Sequence, residues 1–188
     1  MQIPPLKIVG AKPKPLGSSI TQHHHNPAKL LAEFADIKNV GSHNVSLEGI
    51  RLANTTFDHD GKPHKIRVYW TGSNLTVLSP GQVVRVHTGK SKDAALMHPE
   101  DRNGADHHAY AESGDFILND KEGDKLYLYA SSNEPFDSAY YKPNPPAGSY
   151  LVRRGDELVL LSAEGALASI PPITSNKKPV LGHSGRAA

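Results

Sequence analysis

The stretch Glu33-Phe34-Ala35-Asp36-Ile37-Lys38-Asn39-Val40-Gly41-Ser42 determines the fold prediction for this chain of 188 residues. Ala35 and Ile37 alternate with polar residues, and successive side chains of a strand point to opposite faces of a sheet. Gly41 and Ser42 then supply residue types that favour a turn. The stretch therefore predicts a strand with one apolar face, followed by a tight turn.

The same alternation recurs on both sides of this stretch. Eight apolar side chains are expected on the inward faces of the strands: Ile37, Leu52, Val68, Trp70, Val84, Val86, Leu126 and Leu128. Turns rich in Gly, Pro, Asn and Asp separate these strands at intervals of about ten residues. Helical turns are expected only at 28–33 and 92–98. This spacing predicts an all-β fold, an antiparallel sandwich.

A further hairpin is expected near the carboxyl end, between Tyr150 and Leu161. Its two apolar strands flank Arg154-Gly155-Asp156, the tripeptide that integrins bind in other proteins. Because Gly-Asp between two apolar strands is also a common hairpin turn, we interpret the tripeptide as a turn.

Both ends of the chain are rich in proline and carry positive charge. Residues 1–29 contain four lysines and no acid, and residues 171–188 contain two lysines and one arginine and no acid. The rest of the chain carries a net charge of −5, against +2 for the whole. These patterns divide the chain into an extended amino-terminal arm (1–18), a sandwich (19–131), a linker with the hairpin (132–168) and an extended carboxyl-terminal arm (169–188).

The two arms are expected to bind a partner. An isolated arm has too few apolar groups to offset the entropy lost when it becomes ordered. It would be fixed only if its apolar or basic side chains contact another molecule. The partner-binding residues predicted on this basis are Ile3, Leu6, Ile8, Val9, Leu16, Lys177 and Lys178.

Three stretches in series resemble the lamin tail domain family. The first is the opening stretch with Val45-Ser46-Leu47-Glu48-Gly49-Ile50-Arg51-Leu52 after it. The second is Leu78-Ser79-Pro80-Gly81 with the strand that follows, and the third is the hairpin around Asn119-Asp120-Lys121-Glu122-Gly123-Asp124. The resemblance covers residues 33–129, and 19–26 could supply an opening strand. It implies an immunoglobulin-like β-sandwich with a structural or interaction role and no catalytic residues.

Catalytic and metal sites find little support in the sequence. The chain has no cysteine, which excludes disulfides and thiolate chemistry. It also lacks the Gly-x-Ser-x-Gly and phosphate-loop motifs. The 11 histidines include His23-His24-His25, His87, His98 and His107-His108, but adjacent side chains of a strand point to opposite faces. We therefore expect no metal and no cofactor.

The sequence thus predicts a non-enzymatic structural or adaptor protein that contacts other proteins, as a subunit of a large assembly such as a phage virion. Two alternatives remain open: a nucleic-acid-associated protein that uses the basic arms, and a metal-dependent enzyme that uses the histidines. The start of the chain lacks the pattern of a signal peptide, and no segment is apolar enough to span a membrane. A soluble protein that is not classically secreted, in the cytoplasm or a virion, is therefore expected.

Overall fold

The computed structural model describes residues 3–17 and 26–160. Twelve strands account for most of the regular structure. They are β1 (Leu6–Lys12), β2 (Phe34–Asn39), β3 (Val45–Ser46), β4 (Arg51–Phe57), β5 (Pro63–Thr71), β6 (Val77–Leu78), β7 (Val83–His87), β8 (His107–Tyr110), β9 (Asp124–Tyr129), β10 (Pro135–Tyr141), β11 (Leu151–Arg154) and β12 (Glu157–Leu160). The helices are α1 (Pro27–Ala32), a 3-10 helix (Ser91–Leu96) and α2 (Pro99–Arg102). The helical turns expected at 28–33 and 92–98 are confirmed, whereas α2 was not expected from the sequence.

Ten strands form one sheet in the order β5-β4-β9-β10-β12-β11-β1-β2-β7-β8. Most neighbours are antiparallel, but β10 with β12 and β7 with β8 are parallel. The sheet folds back on itself, so that Ile8, Ile37 and Val86 share a core with Leu52 and Leu128. The predicted immunoglobulin-like β-sandwich is confirmed. Strands β3 and β6 pair separately at one end.

Seven of the eight predicted inward side chains are buried, and Val68 is the exception. Leu52 pairs with Trp70 while Ala53 pairs with Val68, so Tyr69 is an extra residue in β5. Such a bulge reverses the alternation of faces along a strand. Trp70 therefore points inward, whereas Val68 is 44% exposed. The prediction for Val68 is wrong because the sequence pattern did not reveal the bulge.

The prediction that residues 1–18 form an extended arm is wrong for residues 6–12, which form β1. Strand β1 lies inside the sheet, between β2 and β11. Its side chains Leu6 and Ile8 are completely buried. Prolines 4, 5, 13 and 15 flank this strand instead of interrupting it, so they bound the strand without removing any of its hydrogen-bond donors.

Strand β1 contains a bulge at Val9, and side chains of other strands bond to its backbone there. Ile8 pairs with Ile37 and Gly10 pairs with Asp36, which leaves Val9 without a partner in the register. The Ile8 amide donates to Asp137 Oδ2 at 2.9 Å, and Arg153 Nη1 donates to the Ile8 carbonyl at 3.0 Å. Arg153 and Asp137 are themselves 2.6 Å apart. Side chains of β10 and β11 thus satisfy the backbone groups near the bulge.

The sheet also extends beyond residue 131, where the sequence predicted a linker. Strand β10 pairs with β9 from Pro135↔Tyr129 to Tyr141↔Asp124. The predicted hairpin is confirmed as β11 and β12, with Gly155 at φ 62° in the turn. Because β11 pairs with β1, the hairpin belongs to the sandwich. The proposed opening strand at 19–26, apart from Asn26, and the carboxyl-terminal arm lie outside the described residues.

Candidate functional site

Polar residues of the stretch 33–42 make hydrogen bonds inside the fold, and Asp36 is one of them. Its carboxylate accepts from Arg85 Nε at 2.8 Å and from Nη2 at 2.7 Å, and both side chains are buried. Arg85 Nη1 donates to the carbonyls of Asp101 and Asn103, and its guanidinium lies 3.8 Å from the centre of the Phe34 ring. This buried, bidentate arginine locks β2 to β7 and to the end of α2.

A surface pocket of about 320 Å³ opens beside this ion pair. Its polar walls include Lys12, Asp101 and Tyr150. Lys12 pairs with Asp101 at 2.5 Å, and the Tyr150 hydroxyl donates to Asp36 Oδ2 at 2.8 Å. Burial, followed by the charge of Asp36, raises the pKa of Tyr150. Each of these three polar side chains is therefore already paired with another group of the chain.

Glu33 is the most perturbed carboxyl group of the core. Thr88 Oγ1 donates to Glu33 Oε1 at 2.6 Å, and the amides of Ile117 and Leu118 donate to the same oxygen at 2.7 and 3.1 Å. Burial outweighs these bonds and raises the pKa of Glu33 to about 8. The carboxyl group therefore carries a proton at neutral pH and holds the segment around Ile117 against the start of β2.

Asp124 has the same role on the opposite half of the sandwich. It accepts from Asn54 Nδ2 at 3.0 Å and from the amides of Thr55, Asn119 and Lys125 at 3.0, 3.1 and 2.7 Å. Burial raises the pKa of Asp124 to about 6. The Gly-Asp of the third resembling stretch thus closes the loop at 119–124 onto β4.

Asn39 fixes the turn that follows β2. Its Nδ2 donates to the carbonyls of His43 and Leu78 at 2.7 and 2.9 Å. Its Oδ1 accepts from the Gly41 amide at 2.9 Å. One buried amide therefore ties the β2 to β3 turn to β6. Like Glu33, Asp36 and Asp124, it performs a structural task.

Two of the histidines, His87 and His108, lie in contact with each other. His87 Nδ1 lies 2.5 Å from the Leu31 carbonyl, and its Nε2 lies 2.9 Å from His108 Nδ1. Burial lowers the pKa of His87 to about 3, so the ring is neutral and its Nδ1 donates. Within residues 3–17 and 26–160, no three His, Asp or Glu side chains are placed to share a metal ion. His23, His24 and His25 lie outside the described residues.

The predicted partner-binding residues fall into four groups. Leu6 and Ile8 are buried in β1 and cannot contact a partner without unfolding of the sheet, so the prediction is wrong for them. Val9 is half-buried at the bulge. Ile3 and Leu16 are 69% and 71% exposed. Lys177 and Lys178 lie outside the described residues.

Ile3 borders an open cleft of about 630 Å³. Its other walls are Pro4, Pro5 and the segment from Gly41 to Ser46, which joins β2 to β3. The cleft is a surface between the amino-terminal segment and the Asn39 turn. It is the larger of the two clefts described here and contains no ion pair within the described part of the chain.

Strands β5 and β7 each carry an arginine two residues before an aromatic ring, Arg67 with Tyr69 and Arg85 with His87, a pattern that would suggest nucleic-acid binding if both pairs shared one surface. Arg85 and His87 are buried. Arg67 is exposed, but Tyr69 is directed toward the core, where burial raises its pKa. The surface that the sequence did not predict is β5 itself, because Val68 was assigned to an inward strand face, whereas Ile66 and Val68 are both exposed.

Comparison with known protein families gives a match over most of the described sandwich. A family model described as Lamin Tail Domain matches residues 16–143. This range includes all three resembling stretches and more than half of the chain. No curated protein matches the chain. No helix in the described ranges is long and apolar enough to cross a membrane.

Proposed function

The chain belongs to the lamin tail domain family, and on that premise we propose that it is a non-enzymatic structural or adaptor protein. Lamin tail domains are immunoglobulin-like interaction domains and are not known as enzymes. The observation that supports the proposal concerns four polar residues in the stretches that resemble the family. All four have structural roles. Glu33, Asp36, Asn39 and Asp124 are each occupied by hydrogen bonds that hold strands and turns together.

The finer part of the proposal is a role as one subunit of a multi-copy assembly, such as a virion. Large apolar side chains are exposed at separate places on the sandwich, and apolar surface exposed in this way favours contact with neighbours. Ile3 and Leu16 flank β1 on either side along the chain and are the best-exposed residues of the amino-terminal segment. We propose that they contact neighbouring subunits, together with Lys177 and Lys178.

Native mass spectrometry of the full-length protein, in the complex with which it is purified, tests this proposal. We expect an assembly larger than the monomer, and its dissociation in the variant that combines Ile3→Asp with Leu16→Asp. The matched control is Leu96→Asp, a change at another exposed leucine, which should leave the assembly intact. A monomeric wild-type protein would contradict the proposal. Loss of the complex between low and moderate salt, with nucleic acid released, would instead indicate phosphate contacts.

A further inference from the structure

Strand β5 (Pro63–Thr71) is one of the two edge strands of the ten-stranded sheet, and β8 is the other. It pairs with β4 along its whole length, from Arg51↔Thr71 to Phe57↔Pro63. Among the described strands, none pairs with its other side. An edge strand presents backbone donors and acceptors in the register that another strand needs. The free side of β5 therefore offers a template for an added strand.

The side chains of β5 are exposed on both faces over most of its length. All six residues from Pro63 to Val68 are exposed. The bulge at Tyr69 separates this part from Trp70, which is buried in the core. Ile66 and Val68 lie on one face at 49% and 44% exposure, and Lys65 and Arg67 lie on the other by strand alternation. An apolar face and a basic face thus flank the free edge.

The charge of β5 determines which kind of strand fits there. The strand contains Lys65, Arg67 and His64 but no acid. Within the described residues, no ion pair involves Lys65 or Arg67. Two copies of β5 paired edge to edge would bring like charges together, which destabilises a sheet. A strand with acidic side chains opposite Lys65 and Arg67 would instead gain cross-strand ion pairs.

We propose that β5 is a docking edge for an extended acidic segment of a partner protein, which adds to the sheet as an eleventh strand. The segment alternates apolar side chains, which cover Ile66 and Val68, with Asp or Glu opposite Lys65 and Arg67. Main-chain hydrogen bonds give affinity in this mode of binding, and the alternate side chains give specificity. The inference rests on the proposed function as an interaction domain and names one of its surfaces.

Fluorescence anisotropy with two labelled synthetic peptides tests the docking edge. One peptide alternates valine with glutamate, and the other alternates valine with lysine. We expect the glutamate peptide to bind the full-length protein at low salt and the lysine peptide to bind at least tenfold more weakly. Reversing two charges, in the variant Lys65→Glu with Arg67→Glu, should weaken binding of the glutamate peptide about tenfold and strengthen binding of the lysine peptide.

The matched control is the variant Lys7→Glu with Lys92→Glu. Both lysines are exposed outside β5, and the change in net charge is the same. Binding of the glutamate peptide should change less than twofold in this control. Equal effects of the two double variants would contradict the docking edge, because they would show attraction by net charge alone. Equal binding of the two peptides, or no binding of either, would also contradict the docking edge.

Amide hydrogen exchange locates the peptide independently of the charge variants. Binding should slow exchange in residues 64–68 and leave exchange in β7 (Val83–His87) unchanged. Protection confined to another part of the sheet, or a dimer that already protects residues 64–68 without peptide, would overturn the proposal. The native mass spectrometry of the proposed function tests Ile3 and Leu16 and does not involve β5. The assembly can therefore persist when no peptide binds to β5, so failure of one proposal is distinguishable from failure of the other.

Discussion

Strands β1 and β5 show how differently the same sheet treats two similar apolar sequences. β1 contains Leu6 and Ile8 between prolines, and it lies in the interior of the sheet with both side chains buried. β5 contains Ile66 and Val68 in a longer alternating run, and it lies at the edge with both side chains exposed. Local alternation indicates a strand in both cases. The number of neighbouring strands, which depends on distant parts of the chain, determines which strand is core.

The largest expected difference between these strands is the effect of removing β1. Deletion of residues 1–12 should abolish cooperative folding, because it separates β2 from β11 and opens the core at Ile8 and Leu6. Circular dichroism and thermal unfolding would measure this. Truncation after Leu160, where the described sheet ends, should leave a cooperative transition. A folded protein without residues 1–12 would show that β1 is an accessory arm after all.

The next largest difference is expected between two substitutions that each introduce a carboxylate, one in β1 and one in β5. Ile8→Asp places a carboxylate in the core and should lower the free energy of unfolding by more than about 4 kcal/mol. Val68→Asp, on the exposed part of β5, should cost about 1 kcal/mol or less. Denaturant unfolding of the two variants gives both values. Similar losses at the two positions would refute the assignment of β1 to the core and β5 to the edge.

Much of the sandwich was predictable because its pattern is local. The run from Phe34 to Gly41 has strand alternation and turn residues that need no knowledge of the rest of the chain. The bulges at Val9 and Tyr69 were not predictable in this way. Their stability depends on remote groups, such as Asp137 and Arg153 beside Ile8. The structural use of Glu33 and Asp124 was likewise invisible, since their partners follow from the fold.

The close packing beside β1 can be tested at Gly10. A Cβ atom added there would lie 2.0 Å from the Tyr150 hydroxyl oxygen. Gly10→Ala should therefore displace Tyr150 from Asp36 and cost about 1–3 kcal/mol. The control is Gly114→Ala, where no heavy atom lies within 4 Å of the added carbon and the free energy of unfolding should stay nearly constant. Equal stability of the two variants would contradict the observed packing.

A smaller effect should appear with pH on the β1 side of the sandwich. The pKa of Glu33, just before β2, is raised to about 8 in the folded protein, from an ordinary value of 4.5. The folded state therefore holds this proton more tightly, and stability falls as pH rises through 8. The loss begins above the ordinary pKa of 4.5 and levels off above pH 8; between pH 7 and 9 it should be about 1–2 kcal/mol. In Glu33→Gln this alkaline loss should disappear, and an unchanged pH profile would assign it to another group.

Residue-resolved amide hydrogen exchange of the full-length protein tests most directly whether residues 6–12 belong to the core of one sheet. The account predicts that the hydrogen-bonded amides of β1 exchange only through global unfolding, with the same free energy as those of β2 and β7. The outward amides in residues 63–68 of β5 should exchange far faster. Fast exchange throughout β1, while β2 and β7 remain protected, would contradict the central claim and restore an amino-terminal arm.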